Sequence, residues 1–403
     1  MYQLIEVKTP KQKREFLLLP VKLYRDEKNW IRPLDKDVEE VFDPKKNKSF
    51  RNGECIRWIL TNKSNQTIGR VAAFVDFKSA GNNDQPTGGM GFFECVDNNE
   101  AAILLFDACR QWLQIRGMEA MDGPVNFGDR DKWWGLLVDG TYEPNYCMPY
   151  NHLYYQDYFE SYGFQNYFNQ YTYHRLVSRD GIAPEIVEKA KRIASNPRYM
   201  ICHVDKHHGE KFADDFLVIY NKGWAKFTGV KPITNAHARA LFKSIKPIMD
   251  ERLMWFAYYD NQPIAFFIMI PEINQIVKHL NGNFGLFNKL RFLYLKRKKV
   301  CTKILGLIFG IVPDQQGKGL EGSLVMSFAD IAWSSNFHYK ELELNWIGDF
   351  NPSMMRVAEQ IGANILKTHI TYRYLFDRTK EFKRAPLVNH SGKKVMGEQA
   401  KNT

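Results

Sequence analysis

The segment best suited to chemistry is glycine-rich. Gly317, Gly319 and Gly322 occur in "QGKGLEG" (316–322), between an apolar run and a helical pattern. Glycines at this spacing let backbone N–H groups approach an anion, and the first turn of a helix adds the positive end of its dipole. The segment therefore predicts a phosphate-binding loop. The alternative is a tight strand-to-helix connection in which the glycines serve only turn geometry.

Two well-known phosphate loops do not fit this segment. A dinucleotide-binding turn needs a strand that runs directly into the first glycine, but residues 313–316 intervene, although Glu341 is spaced as a ribose-binding acid would be. A P-loop needs Ser or Thr after its lysine, and Gly319 follows Lys318 here. The loop therefore predicts neither NAD binding nor P-loop nucleotide binding.

The elements that must position this loop occur twice in the chain. Residues 55–76 and 252–271 each consist of two apolar runs around a polar turn, which is typical of a β-hairpin. Each is followed by a further apolar run, a helix, a strand, a second helix ending at Gly163 or Gly362, and a closing strand. The pattern predicts two copies of one α/β unit.

The interval from hairpin to helix is longer in the second copy, and the basic segment 272–300 accounts for the difference. We therefore expect an N-terminal domain at 1–177 and a C-terminal domain at 178–377 that carries 272–300 as an insertion. Residues 378–403 are rich in Lys and lack apolar periodicity, so we expect a basic disordered tail there.

The loop and its context resemble a known superfamily. Val312-Pro313, a short polar stretch and "QGKGLEG" before a helix resemble the diphosphate-binding turn of the GNAT acyl-CoA N-acyltransferases. The stretches "GFFE", "GPVNF" and "MPYNHLYYQDYFESYGF" also resemble a bacterial family of tandem GNAT-like proteins of undefined substrate. The resemblance implies a mixed α/β fold class, with two GNAT-like domains in tandem. Each would be a mixed, mostly antiparallel sheet flanked by helices.

The resemblance also implies an activity, namely N-acyl transfer from acetyl-CoA or another acyl-CoA to a small-molecule or peptide amine. It places the cofactor in the C-terminal domain, because "CVDNNEA" (95–101) in the first copy has no glycine loop and makes that domain degenerate. The implied cofactor-binding residues are Ile311, Val312, Gln316, Gly317, Lys318, Gly319, Gly322, Ser323 and Asn351.

Three polar residues near this loop are candidates for further roles. Glu343 and Asn345 alternate on one strand face, so they are candidates to deprotonate or position an amine; a solvated or ion-paired strand face is the alternative. Asn351 is a candidate to bind the pantetheine arm, or to cap the helix that follows it.

In the first copy, loops that contain Gly and Pro residues are rich in polar side chains suited to line an acceptor pocket. The candidate substrate-binding residues are Asn126, Asp131, Tyr150 and Asn151. In the alternative interpretation these loops are structural, with Trp133 and Trp134 filling a domain interface. No His or Cys spacing matches a zinc signature, so no metal is expected.

Departures from the family pattern keep two other functions open. Glu321 occupies the position of a small residue in the loop, and Ala358 that of a general-acid tyrosine. A non-catalytic GNAT-like binding module is one alternative. Fem-type aminoacyl transfer from charged tRNA is the other, with the basic insertion as the RNA contact; nucleic acid is otherwise not expected as a partner.

Charge and hydropathy indicate where the protein acts. The net charge is +11, and residues 281–300 contribute six Lys or Arg and no acid, so the basicity is local. Five large apolar residues share that segment, which suits an anionic membrane surface, an acidic partner or a packed lid with a basic edge: Leu286, Phe287, Leu290, Leu293 and Tyr294. The chain lacks an apolar run long enough for a membrane span, and its six cysteines are scattered, which favours the cytoplasm.

Overall fold

The computed structural model describes residues 2–81, 85–128, 130–223, 232–388 and 394–395. In chain order, its strands are β1 (Gln3–Glu6), β2 (Gly53–Thr61), β3 (Thr67–Asp76), β4 (Thr87–Cys95), β5 (Ala120–Gly123), β6 (Leu136–Asp139), β7 (Gln165–Leu176), β8 (Tyr199–His203), β9 (Met254–Tyr259), β10 (Gln262–Pro271), β11 (Lys303–Ile311), β12 (Glu341–Gly348), β13 (Asn364–Leu375), β14 (Leu387–Val388) and β15 (Lys394–Val395). Its α-helices are α1 (Pro10–Leu23), α2 (Asp35–Val41), α3 (Phe77–Ala80), α4 (Asn99–Gln114), α5 (Tyr155–Tyr162), α6 (Pro184–Ala194), α7 (Gly209–Gly223), α8 (Asn235–Ile245), α9 (Asn274–Val277), α10 (Leu286–Arg297), α11 (Leu320–Ala332) and α12 (Pro352–Gln360).

The chain forms two compact units. Of the described residues, the first unit comprises those within 1–170, 274–298 and 367–385, and the second unit comprises those within 171–273, 299–366 and 386–395. No helix within the described ranges combines the length and the apolar character needed to cross a bilayer.

The two units repeat one order of elements and one pattern of strand pairing. In the first, β1, β2, β3 and β4 pair antiparallel in sequence order, and β4 pairs parallel with β5. In the second, β8, β9, β10 and β11 pair antiparallel in the same way, and β11 pairs parallel with β12. The expected fold class, a mixed α/β fold with mostly antiparallel strands flanked by helices, is confirmed.

The unit boundaries differ from the expected domains at 1–177 and 178–377, because the closing strands are exchanged. From Lys367 onward β13 belongs to the first unit, where it pairs antiparallel with β5, and from Tyr171 onward β7 belongs to the second. Both closing strands have similar local patterns, so sequence alone does not reveal which sheet each one joins.

The basic segment 272–300 was expected as an insertion of the C-terminal domain, but residues 274–298 belong to the first unit. The Asn274 amide donates to the Pro144 carbonyl at 2.7 Å, and Lys278 forms an ion pair with Glu143 at 3.0 Å. The Gly282 carbonyl accepts from the Asp35 N–H at 2.8 Å. These contacts join residues distant in sequence, which composition and length arithmetic cannot reveal.

The expectation of a disordered tail from residue 378 does not hold for residues 378–385. Arg378 donates to the Gly163 carbonyl at 2.7 Å, and Lys380 pairs with Glu119 at 2.7 Å. The Ala385 N–H donates to the Tyr167 carbonyl at 2.9 Å. Residues 389–393 and 396–403 of the expected tail lie outside the described residues.

Helices cover both faces of the first unit's sheet. Trp58 and Leu60 of β2 face the core formed with α4 and α5, whereas Ile59 between them faces the core formed with α1 and α2. Because both faces are buried, these strands consist of nearly continuous apolar runs rather than alternating ones. The sheet is thereby fixed from two sides.

The parallel strand pair in each unit diverges after a few residues. Pairing of β4 with β5 ends at Gly89 and Asp122, although β4 continues to Cys95. Pairing of β11 with β12 likewise ends at Gly306 and Leu344, although β11 continues to Ile311. Each unit therefore contains an opening between two strands of its own sheet.

A buried ion pair fixes the closed end of this opening in the first unit. Asp122 of β5 and Arg373 of β13 are directly opposite in the strand register, and both are buried. The guanidinium donates two hydrogen bonds to the carboxylate, at 2.7 and 3.0 Å, and stacks on Tyr167 at 3.7 Å. Removing one partner would leave the other charge buried without compensation.

Asp122→Asn is expected to lower the free energy of unfolding by about 3 kcal/mol, because it leaves the Arg373 guanidinium buried opposite a neutral amide. Urea denaturation measures this change. Glu6→Gln is the matched control: it removes an exposed pair with Lys8, and should change the free energy by less than about 1 kcal/mol. Equal effects of the two substitutions would contradict a structural role for the buried pair.

Candidate functional site

A cavity lies in the first unit where β4 and β5 diverge. Its volume is about 80 Å³. Its lining is mainly apolar and includes Leu17, Trp30, Ile31, Phe92, Leu136 and Met148. Six side chains with polar functional groups also line it, and they are Arg32, Asp35, Arg70, Glu94, Tyr150 and Asn151.

The Glu94 carboxylate is the chemical centre of this cavity. It is buried, and one of its oxygens accepts hydrogen bonds from the hydroxyl groups of Tyr24 at 2.5 Å and Tyr155 at 3.0 Å. The other oxygen lies 3.4 Å from the Arg70 guanidinium, which also donates to the Phe16 carbonyl at 2.7 Å. The carboxylate is thus held by three donors from three parts of the first unit.

Local structure explains how these side chains meet. Arg70 on β3 and Glu94 on β4 are direct partners in the strand register, so their side chains leave the sheet side by side. Tyr24 is the C-cap residue of α1, and Tyr155 is the first residue of α5. The ends of α1 and α5 therefore position both tyrosine hydroxyl groups near the end of β4.

Burial raises the pKa of the Glu94 carboxyl group above its ordinary value, because the charged form loses its hydration. Attraction by Arg70 and the hydrogen bonds from the tyrosines act in the opposite direction without cancelling the effect of burial. Burial, together with the charge of Glu94, also raises the pKa of Tyr24, so this hydroxyl remains a donor. A carboxyl group with a raised pKa in a cavity is suited to exchange protons with a bound molecule.

Aromatic rings fix the position of Tyr24. Its ring stacks on Trp30 with centroids 5.3 Å apart and on His152 with centroids 4.6 Å apart. Tyr150 meets it edge-on at 5.8 Å, and His152 stacks in turn on Tyr154 at 5.0 Å. This packing leaves the Tyr24 hydroxyl little freedom to leave Glu94.

Sequence reasoning missed Glu94, Arg70 and Tyr24. The first copy was expected to be degenerate because residues 95–101 contain no glycine loop. A search for phosphate-binding groups does not select the Glu94 carboxylate, which directly precedes these residues. The available signal was a single acid at the end of the buried run "GGMGFFE" (88–94). A charged residue in such a run is rarely buried without a partner.

Two of the four residues expected to bind the acceptor line the cavity, and two do not. Tyr150 and Asn151 line the cavity, whereas Asn126 and Asp131 are not among its lining residues. The Asn151 side chain is occupied by β6, since it accepts from the Leu137 N–H at 2.9 Å and donates to the Leu137 carbonyl at 3.0 Å. Tyr150, whose hydroxyl lies 3.3 Å from Glu27, is the better placed of the two to meet a ligand.

The expected glycine loop is in the second unit and leads into α11. Gly317 has φ +72° and Gly319, the N-cap residue, has φ +96°, which are left-handed values that favour glycine. No side chain of the described residues caps the first turn of α11. The first N–H groups of a helix have no partner within it, so this end is able to meet an anion.

The glycines of this loop have different surroundings. A Cβ atom at Gly317 would meet nothing within 4 Å among the described residues, but at Gly319 it would lie 2.8 Å from Lys189, and at Gly322 2.8 Å from the Ile186 carbonyl oxygen. Gly319 and Gly322 therefore provide room for α6, and Gly317 is open. Arg192 of α6 also donates to the Lys318 carbonyl at 2.8 Å. Packing against α6 therefore accounts for Gly319 and Gly322, whereas no packing contact of this kind accounts for Gly317 among the described residues.

Other expected cofactor residues make local contacts. The Val312 N–H donates to Ile264 at 2.9 Å, the Gln316 amide donates to the Ile311 carbonyl at 3.2 Å, and the Ser323 hydroxyl donates to Gly319 at 3.3 Å. The Asn351 side chain accepts from the Met354 N–H at 3.3 Å, as the N-cap of α12. These hydrogen bonds stabilise the conformation of the loop and of the start of α12.

The expected catalytic residues lie on β12 in the second unit. Glu343 is fully buried and forms an ion pair with Lys303, which is on the neighbouring strand β11. Burial disfavours the charged Lys303, but Glu343 outweighs this and raises the pKa of the ammonium group. Glu343 is thus ion-paired, as the alternative interpretation of this strand face expected. Asn345 on the same strand is half-buried.

Acidic side chains surround the corresponding helix start in the first unit. Asn98 caps α4 by accepting from the Ala101 N–H at 2.8 Å, and Glu100 is in the first turn. Asp97 accepts a hydrogen bond from Tyr158 at 2.5 Å. Because the first turn is capped and carries negative charge nearby, it is unsuited to a diphosphate. The two units thus differ in their chemistry: a carboxylate-centred cavity in the first, and an uncapped glycine-containing helix start in the second.

Comparison with known proteins extends these observations. No protein-family model matches the chain. The chain is 27% identical over 378 residues to a bacterial ceramide synthase of Caulobacter vibrioides, and the match covers 91% of this chain and 96% of that protein.

Solved structures share the fold. A tandem GNAT protein from the clavulanic acid biosynthesis pathway matches with a TM-score of 0.53 at 8% identity, covering 94% of this chain and all of that chain. The glucosamine N-acetyltransferase region of a fungal multidomain β-N-acetylglucosaminidase matches with a TM-score of 0.56 at 8% identity, over 93% of this chain but only 38% of the fungal chain. The chain therefore has the tandem GNAT fold, as its sequence resemblance predicted.

Tyr24→Phe is expected to raise the pKa of Glu94 further, because it removes a hydrogen bond that stabilises the carboxylate form. Infrared difference spectroscopy across a pH series, with Glu94→Gln as the blank, would follow the protonated carboxyl band. Tyr162→Phe, which removes a hydroxyl bonded to Asp107 at 2.7 Å, is the control and should leave the midpoint unchanged. A midpoint lowered by Tyr24→Phe would contradict this description of the site.

Proposed function

We propose that this protein is an acyl-CoA-dependent N-acyltransferase whose acceptor is a long-chain lipid amine. The observation that carries the proposal is the buried Glu94 carboxyl, with its raised pKa, in a mainly apolar cavity of a GNAT fold. The similarity to a bacterial ceramide synthase supports the acceptor class, because a ceramide is a long-chain amine carrying an amide-linked fatty acyl group.

In the proposed reaction, ionised Glu94 accepts a proton from the acceptor ammonium group. The resulting neutral amine attacks the thioester carbonyl and the C–N bond forms. The C–S bond then breaks, and the departing CoA thiolate takes the proton that the nitrogen loses, which gives the amide and the CoA thiol. Burial favours the neutral forms of both the carboxyl group and the amine, so the cavity promotes this proton transfer. Tyr24 and Tyr155 hold the carboxylate in position throughout.

The lining of the cavity suits an acceptor with an alkyl portion. Trp30, Ile31 and Met148 offer apolar surface beside the carboxylate. Burying each methylene group of an alkyl chain there contributes about 0.8 kcal/mol. A small polar amine would gain less from this lining.

We further propose that the glycine loop of the second unit holds the diphosphate of acyl-CoA. The open position at Gly317, the uncapped start of α11 and the exposed Lys318 support this. Glu321 opposes it with a negative charge, although Lys189 lies 3.9 Å from that carboxylate and offsets part of the charge. This proposal is tested separately from the role of Glu94.

We keep the cytoplasm as the proposed location. All six cysteines are free thiols, which suits a reducing compartment. Four of them are buried, where they act as small apolar side chains.

Glu94→Gln is expected to reduce kcat by at least about 100-fold, because a neutral amide cannot accept the ammonium proton. The assay would follow CoA release with a long-chain amine and an acyl-CoA. Glu343→Gln is the matched control, since it also removes a buried, ion-paired carboxylate, and it should retain activity if it folds. In the parent protein, activity should rise with pH as Glu94 ionises, through a pKa above the ordinary value. Loss of activity with Glu343→Gln and retention with Glu94→Gln would reverse the assignment.

Gly317→Ala is expected to weaken CoA binding about tenfold or more, since its Cβ atom would occupy the approach of the diphosphate and would strain the left-handed backbone at φ +72°. Calorimetry with CoA and with 3′-dephospho-CoA measures this. Glu321→Gln should leave binding unchanged or tighten it, because it removes a negative charge near an anion.

Two outcomes would overturn this cofactor assignment. Unchanged CoA binding by Gly317→Ala would place the diphosphate elsewhere, and loss of binding by Glu321→Gln would give that carboxylate a positive role. CoA binding without turnover with any amine would instead support a binding module.

A further inference from the structure

Helix α10 in the first unit exposes an unusual amount of apolar surface. Five large side chains of this helix are strongly exposed: Leu286 (72%), Phe287 (85%), Leu290 (57%), Leu293 (57%) and Tyr294 (59%). Their spacing of i, i+1, i+4, i+7 and i+8 places them on one face, since a helix turns about 100° per residue. An exposed apolar patch of this size marks an interaction surface.

The opposite face of α10 is used by the fold. Phe292 is buried and meets Phe284 edge-on at 5.9 Å. The Asn288 amide donates to the Asn283 carbonyl at 3.0 Å and to the Leu280 carbonyl at 3.3 Å. The helix is therefore held by one face while its outer apolar face is directed to solvent. A packed lid, one of the expected roles of this segment, would bury that outer face instead.

Basic residues border the exposed apolar face. Lys289 and Lys296 fall on one side of it by helical position, and Arg291 falls on the other. Arg297, Lys298 and Lys299 follow at the C-terminal end, and residues 281–300 contain no acid. Long basic side chains beside an apolar face allow the apolar groups to enter a lipid layer while the charges remain at its headgroups.

We propose that α10 docks the protein on the surface of an anionic lipid bilayer. The apolar face lies in the plane of the interface, with Phe287 and Leu290 among the acyl chains. The flanking Lys and Arg residues contact anionic headgroups, each contributing about a fivefold change in the partition coefficient. This proposal does not depend on catalysis, although a lipid acceptor would be available at such a surface.

The same charges oppose the other occupants of this face. In a symmetric dimer through α10, each copy would place its basic residues against those of its partner, which is unfavourable. A nucleic acid would satisfy the charges, but the exposed Leu and Phe side chains would gain nothing from phosphates. Of these three occupants, an anionic lipid surface alone matches both the apolar face and its basic border.

Vesicle co-sedimentation of the full-length protein tests this docking. Vesicles of phosphatidylcholine with about 30% phosphatidylglycerol should bind it, and phosphatidylcholine alone should bind it at least about tenfold more weakly. Phe287→Ser/Leu290→Ser should reduce binding to the anionic vesicles at least about tenfold. The matched control is Ile115→Ser/Leu176→Ser, which removes two other exposed apolar residues (83% and 60%) and should bind as the parent does.

A charge variant separates the two contributions. Lys289→Gln/Arg291→Gln should weaken binding to anionic vesicles by about tenfold or more and make it less sensitive to salt. Thermal unfolding verifies that each variant folds, which is expected because the changed residues are exposed.

Three results would overturn the proposal. They are failure of the folded parent protein to bind anionic vesicles, equal binding by Phe287→Ser/Leu290→Ser, and a dimer in solution that only this variant abolishes. The last result would assign the face to a second copy of the chain.

Discussion

Burial of the Glu94 carboxylate constrains much of the first unit. A carboxylate removed from water needs donors, and here Tyr24, Tyr155 and Arg70 provide them from a helix end, a helix start and a neighbouring strand. Two of these donors are held in turn, Tyr24 by stacked rings and Arg70 by the Phe16 carbonyl. The carboxylate is satisfied only when α1, α5, β3 and β4 all occupy their places. The same arrangement raises the pKa of the group and leaves it at the wall of a cavity.

The two units share a topology but differ in chemistry at equivalent positions. Each unit has a parallel strand pair that diverges, followed by a helix. In the first, the helix start is capped by Asn98 and has acidic neighbours, and a carboxylate lies at the strand end. In the second, the helix start is uncapped and contains glycine, while the buried Glu343 is paired with Lys303. The two units thus repeat one topology, and their openings differ in chemistry.

Helix α10 shows why composition alone leaves the role of an apolar segment open. It has apolar residues on two faces, one of which is buried through Phe292 while the other is exposed around Phe287 and Leu290. A packed lid and a membrane-binding helix differ in which faces find partners, and the sequence of the helix is compatible with both. Burial opposes the packed lid, since among the described residues the fold covers only one of the two faces.

The sequence by itself determined the local elements and their repetition. Hairpins, helices and the glycine-containing turn follow from periodicity and from residues with special backbone preferences, which act over a few positions. The repeated order of elements, with the resemblance of the loop, was sufficient to predict the tandem GNAT fold. Tertiary structure alone decided three matters: the exchange of β7 and β13, the attachment of 274–298 to the first unit, and the meeting of Glu94 with Tyr24 and Tyr155. Each depends on contacts between residues far apart in the chain, where several partners satisfy the same local pattern and the packing of the whole unit selects one.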